Sequence, residues 1–383
     1  MKKHILFALT GIMAILSMSV QANAANPDLK IYLKNDVVVT YPGAQIDSVV
    51  YIGTNLGFKV YHDGGQATDY LMSQVVKVET IGGDEPGPDD NNKNANWNIP
   101  GLNIPQSKAD PTFTNKSTND YAWRLEYPHI NTTSGNQRVV KAVTTGEGIN
   151  YSVEWDNNKI ANRWTCYTMC SKNNASNVTR SNDFKVDTEV EVSPADGYTE
   201  SSTYSRGHLC PSADRLSTKE QNKQTFFMTN MQPQYSNHNS GIWATLEGYV
   251  RSKWQPTNST DTLYVVKAAT IADVTLNNTT STGIITTTTD DDGQTLLVPK
   301  YFYMAFLYYT KATNDYKAFA IWTQHLKSNN PSSTAVLNLN GGYIISIDEL
   351  EKRTGIDFFC NLPDDKEDEV EATATYWDNS IKQ

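Results

Sequence analysis

Residues 204–211 read Tyr204-Ser205-Arg206-Gly207-His208-Leu209-Cys210-Pro211, and residues 229–234 read Thr229-Asn230-Met231-Gln232-Pro233-Gln234. Asn239, Trp243, Glu247 and Arg251 follow closely. Trp243, Leu246, Val250 and Trp254 recur at three- and four-residue steps, which predicts a helix from Ser240 to Trp254 with Asn239 at its entrance. N-capping is the purely structural role open to that asparagine. Hydrolysis of a phosphodiester needs a base for water, positive charge at the phosphate and help for the departing oxygen. His208 has the right chemistry for a base near neutral pH. Magnesium prefers oxygen ligands and keeps several waters, so one asparagine carbonyl can be its principal protein ligand. Glu247 lies two helical turns beyond Asn239, about 12 Å along the axis, and leans back toward the helix start. It would reach water around a metal there rather than the metal itself. Each residue alone has an ordinary structural role, such as a surface ion pair for Arg251; the spacing of the whole set is what points to chemistry.

That set resembles the DNA/RNA non-specific endonuclease family, the ββα-metal group that includes the nuclease of Serratia. The family pattern is Asp-Arg-Gly-His, then an Asn-containing segment ending in Pro-Gln, then Asn, Trp and Glu on a helix. The matching residues are Arg206-Gly207-His208, Asn230, Pro233-Gln234, Asn239, Trp243 and Glu247, with Thr179-Arg180 upstream matching a phosphate-binding arginine. The resemblance runs from about residue 120 to residue 377. It implies an α+β domain built on a mixed or antiparallel sheet. It also implies that His208 activates water, that Asn239 holds a hydrated magnesium ion (or manganese), and that Glu247 orients water of the metal's shell. Arg180 would stabilise transition-state charge, and Arg206 and Asn230 would support phosphate and site geometry. DNA and RNA would both be substrates, because contacts go to phosphate and phosphate carries no sequence information. Products would carry 5′-phosphates. Ser205 departs from the family, which has Asp there; an inactive surface or nucleic-acid-binding relative is therefore the rival expectation.

Outward from this core, the chain divides. Lys2 and Lys3, an apolar run from Ile5 to Val20 and Ala22-Asn23-Ala24 make residues 1–24 a signal peptide, and hence the protein secreted, periplasmic or held in the cell envelope. Residues 26–81 contain a repeat: Leu29–Ile52 aligns without gaps on Phe58–Ile81, with Lys30/Lys59, Tyr32/Tyr61, Tyr41/Tyr70, Gln45/Gln74, Val49/Val78 and Ile52/Ile81 identical. Alternating apolar and polar residues predict a small all-β module in which two copies share one core, an attachment or spacer unit for the cell surface. Residues 82–116, acidic, Asn-rich and dotted with proline, read as a flexible linker, and 117–383 as the nuclease domain. In an exported protein four cysteines favour disulfides, with Cys210 and Cys360 one possible pair. His238 is read as incidental. The net charge of −10 is unusual for a nucleic-acid binder, but the acid lies in the linker, at Asp290–Asp292 and at Asp364–Glu371, away from the candidate site.

Overall fold

The computed structural model describes residues 18–19, 28–34, 37–42, 45–53, 57–62, 64–71, 73–81, 92–102, 104, 121–142, 148–170, 175–328 and 343–379. Two compact units emerge, residues 1–90 and 91–383.

In the first unit Met18–Ser19 (β1) lies beside Val49 and Ser48; the rest of the expected leader falls outside the described residues. Each repeat then yields three strands: Asp28–Leu33 (β2), Val38–Tyr41 (β3) and Ile46–Gly53 (β4), then Gly57–His62 (β5), Gln66–Leu71 (β6) and Val75–Ile81 (β7). The third strand of each copy pairs with the other copy, giving sheets β3-β2-β7 and β1-β4-β5-β6. The core is built from repeat-equivalent residues: Leu29 with Phe58, Ile31 with Val60, Tyr41 with Tyr70, Ile46 with Val75. The Tyr41 and Tyr70 hydroxyls hydrogen-bond each other at 2.7 Å. One copy alone could not close this core, because each sheet needs a strand from the other.

The second unit is organised by a seven-stranded sheet. Its strands are Asn136–Ala142 (β8), Ile149–Asp156 (β9), Ala161–Met169 (β10), Thr262–Ala269 (β13), Tyr301–Thr310 (β18), Asp315–Gln324 (β19) and Ile344–Ile345 (β20), in the order β20-β19-β18-β13-β10-β9-β8. Every pairing within it is antiparallel. Side chains alternate between its faces. Leu263, Val265, Phe302, Met304, Phe306, Phe319 and Ile321 meet Trp243, Leu246, Val250 and Trp254 on one face. Val266, Ala268, Tyr303, Ala305, Leu307, Ala318 and Ala320 meet Ile347, Leu350 and Tyr127 on the other. Burying each such Leu or Val is worth about 1.5–3 kcal/mol. On the second face, helix Ile347–Thr354 (α2) starts at Ser346, whose hydroxyl accepts the Glu349 N–H, and stops at Gly355 with φ 66°. The Glu349 carboxylate bonds Arg353 instead of completing a capping box.

Two expectations are corrected. The linker does not extend over residues 92–104. There Asn96 is fully buried, donating to the Ala122 and Pro128 carbonyls and accepting the Ile130 N–H. Asn92 donates to the Leu362 carbonyl and Asn94 to Asp357. Asparagine-rich sequence serves here as a hydrogen-bonded strap. Residues 105–120 lie outside the described part. No disulfide joins the four cysteines. Cys210 packs in the core on one face of the large sheet and Cys360 in the core on the other, so the sheet separates them. Denatured without reductant, the chain should expose four titratable thiols, and its melting temperature should be the same with and without dithiothreitol; fewer thiols would mean a bridge that this structure lacks.

Candidate active site

The two motif segments are neighbouring strands. Tyr204–His208 (β11) pairs antiparallel with Met231–Tyr235 (β12), with Ser205 opposite Gln234, Arg206 opposite Pro233, Gly207 opposite Gln232 and His208 opposite Met231. A helical run over residues 236–254 follows at once, completing strand, strand and helix. The glycine is a steric requirement: a Cβ at Gly207 would lie 2.1 Å from Oε1 and 2.8 Å from Cβ of buried Gln234. The strand and helix are tied directly, since Trp243 Nε1 donates to the His208 carbonyl at 3.1 Å.

His208 is 8% exposed. Its ring packs edge-on against Phe184 and Phe226, with centroids at 5.8 and 5.0 Å. Nε2 of the ring is buried with no hydrogen-bond partner among the described residues. Burial, then Arg180 and Arg206, push the ring's pKa down to about 3, so it is neutral at pH 7. Arg180 is exposed and stacks on Phe226, its guanidinium carbon 4.8 Å from the ring centre. Arg206 stacks on Phe184 at 3.5 Å and donates to the Asp196 carbonyl. The histidine thus lies beside two guanidinium groups carried on the aromatic rings that flank it.

Asn239 is not an N-cap. The helical run begins at Ser236, and Asn239 has helical angles of φ −59° and ψ −49°. No hydrogen bond fixes its side chain among the described residues, and it lines a cleft of about 740 Å³ with Arg180, Phe184, Ser205, Arg206 and Asp291. The turn Asn239–Trp243 is a wide π-type turn broken at Gly241 (φ −97°, ψ −106°), an irregularity that often marks functional sites. Glu247 is half-buried, and burial raises its carboxyl to about 7 against the pull of Lys267, Arg251 and Arg180. Ser205 donates to the Ser236 hydroxyl at 3.1 Å; the carboxylates at this cleft come from Asp196 and from Asp291, so the 290–292 acidic run does not lie away from the site as expected.

Asn230 takes a different part from phosphate contact. It is fully buried; its carbonyl oxygen accepts the Cys210 N–H at 2.8 Å, and its amide donates to the Cys210 and Thr225 carbonyls at 2.9 Å each. It braces the loop after His208. His238 is buried against Phe302 and His325, and its Nδ1 bonds the Gln234 amide at 2.7 Å, so it fixes Gln234 rather than standing idle.

Sequence reasoning missed the charges beneath the helix. Asp214 is fully buried, accepts from Arg251 and from the Tyr167 hydroxyl at 2.8 Å each, and lies 3.9 Å from Lys267. Lys267 is also fully buried, with no hydrogen-bond partner for its ammonium among the described residues; burial lowers its pKa, while Asp214 and Glu247 oppose that. The signal was present in the sequence: a lysine at an inward-facing position between Val265 and Ala269. Phe184 and Phe226, which hold the histidine, carried no comparable signal.

The profile of the DNA/RNA non-specific endonuclease family matches residues 133–365. A nuclease of Nostoc sp. (strain PCC 7120) is 28% identical over 227 residues, covering 58% of this chain and 75% of the relative. A nuclease of Syncephalastrum racemosum is 31% identical over 172 residues, 42% of this chain and 49% of the relative. This chain thus spans about half the length of the latter. Among solved structures, a chain of the EndoG/EndoGI complex aligns with a TM-score of 0.47 and 19% identity, covering 56% of this chain and 85% of that one.

Gly207→Ala should lower stability by about 1–3 kcal/mol through overpacking. Urea denaturation measures this, and an unchanged midpoint would mean that Gln234 moves aside without cost.

Proposed function

Because the chain belongs to the DNA/RNA non-specific endonuclease family, whose members hydrolyse phosphodiester bonds, we propose that it cuts DNA and RNA with His208 as general base and a magnesium ion on Asn239. The observation that carries this reading is His208 Nε2, a buried, unpartnered ring nitrogen beside two arginines, on a ring that is neutral at pH 7. The residues present fit a hydrated divalent ion. Asn239 offers an uncommitted amide in a polar cleft, and Glu247 stands further along the same helix. Magnesium there would supply positive charge to the phosphate and to the departing oxygen.

The chain's own residues do the rest. Arg180 and Arg206 bind phosphate oxygens in bidentate fashion. A phosphate between them cancels the two charges that help to hold His208 down, so the ring gains basicity when substrate arrives. Nε2 then takes a proton from water, the water oxygen attacks phosphorus, and the bond to O3′ breaks to leave a 5′-phosphate. Glu247, once ionised, orients water near Asn239. Its carboxyl at about 7 sets the acid limb of the pH profile, because His208 is already neutral there. Indifference to sequence follows from contacts confined to phosphate. The basic, apolar and small-residue pattern of residues 1–24 supports export, and the repeated β unit supports attachment at the cell surface. No helix among the described residues is long and apolar enough to cross a membrane.

A second reading rests on Ser205, whose hydroxyl bonds Ser236 where the family has a carboxylate: a decayed site that binds nucleic acid without cutting it. Digestion of supercoiled plasmid and of RNA separates the two. Cleavage should require magnesium or manganese, stop with chelator and fall roughly 10²–10⁴-fold in His208→Ala. Ends should accept label from a kinase only after phosphatase treatment. Intact substrates across metals and pH would leave the binding reading.

Lys267→Met removes a cation that holds the Glu247 carboxyl down, so the acid limb of kcat/KM should move to higher pH while Glu247→Gln abolishes it. An unmoved limb in Lys267→Met would remove the lysine from the site's electrostatics.

A further inference from the structure

The acidic run near the end of the chain forms helix Asp364–Glu371 (α3), which packs against α2. Asp348 and Glu351 share a face of α2, as Glu367 and Glu371 share one of α3, since residues three or four apart on a helix are neighbours. Asp348, Glu351 and Glu371 bring carboxylate oxygens within 4.8 Å of one another. Glu371 is 4% exposed, and its Oε1 is buried with no hydrogen-bond partner among the described residues. Glu351 spends one oxygen on the Phe358 N–H at 2.6 Å. Buried Glu367 accepts from the Asn94 amide at 3.2 Å on both oxygens, and the Oδ1 of Asn94 is itself buried without a partner. The leftover atoms are therefore acceptors. Of the basic groups on these helices, Arg353 bonds Glu349 at 2.8 Å and Lys366 bonds Glu369 at 2.7 Å, while Lys352 lies one turn from Asp348 on the same helix.

Burial and mutual repulsion push the Glu351, Glu367 and Glu371 carboxyls upward. A hard cation relieves both costs at once. Calcium takes six to eight oxygens in irregular arrangements, whereas magnesium demands near-octahedral geometry and sheds its water reluctantly. We propose that Asp348, Glu351 and Glu371 bind one calcium ion, which pins α3 to α2 on the face of the sheet opposite the active site. The ion is structural: it touches neither His208 nor Asn239.

The test uses the full-length Asn239→Ala chain, which lacks the ligand proposed for catalysis, stripped with chelator and returned to calcium chloride at constant ionic strength. Equilibrium dialysis should find one calcium per chain, with Kd of about 10⁻⁴–10⁻³ M. The melting temperature should rise by roughly 2 °C at a tenfold excess over Kd. Adding Glu371→Gln or Asp348→Asn should weaken binding at least tenfold and remove the rise. Asp348 is exposed, so its variant tests the site without risk to folding. No bound calcium at millimolar concentration, or a rise that persists in both variants, overturns the site and leaves carboxyls that share protons. An equal rise with magnesium chloride overturns the assignment to calcium.

Discussion

The close approach of Gly207 to Gln234 governs the geometry of the catalytic unit. A side chain at residue 207 would collide with Gln234. Without one, β11 and β12 pair in a register that sets His208 opposite Met231 and leads the chain straight into the helical run. Gln234 is held in turn by His238, itself packed against Phe302 of the large sheet. His208 is thereby referred to the sheet through packed side chains. Rigid support of this kind is what a site needs if a base and a metal ligand on different elements are to meet one phosphate.

Beneath the helix lies a set of charges that stability alone does not explain. Taking Asp214 and Lys267 wholly out of water costs several kcal/mol per ion, and a buried pair often recovers no more than that cost. Arg251 and Tyr167 satisfy Asp214, while Lys267 keeps an ammonium with no hydrogen-bond partner among the described residues. The lysine acts on its surroundings through its field. It favours the ionised form of Glu247 and, with Arg180 and Arg206, the neutral form of His208. One buried cation therefore biases the protonation of both groups.

Elsewhere the chain turns polar residues to packing. Asn96 and Asn230 are fully buried, and each is satisfied by several backbone groups, so each ties together segments far apart in sequence. An asparagine can do this because it carries two donors and a two-lone-pair acceptor without a charge to desolvate. The N-terminal unit achieves closure by symmetry instead, with duplicated residues meeting their own copies.

By itself the sequence determined the identity and spacing of the chemical groups. Arg206, Gly207, His208, Asn239 and Glu247 were legible because a motif is a local pattern. The repeat was legible as a repeat. Tertiary structure alone decided what depends on residues distant in the chain. It exchanged strands between the repeats, placed Cys210 and Cys360 on opposite faces of one sheet, and turned an Asn-rich stretch into a strap. It also moved Asn239 from the helix entrance into its first turn and gave Asn230 its backbone partners around Cys210 and Thr225. Burial, pairing and field strength are properties of neighbours in space, and one-dimensional spacing does not carry them. That is why Lys267, ordinary in sequence, acquires its role only where the fold sets it beside Asp214.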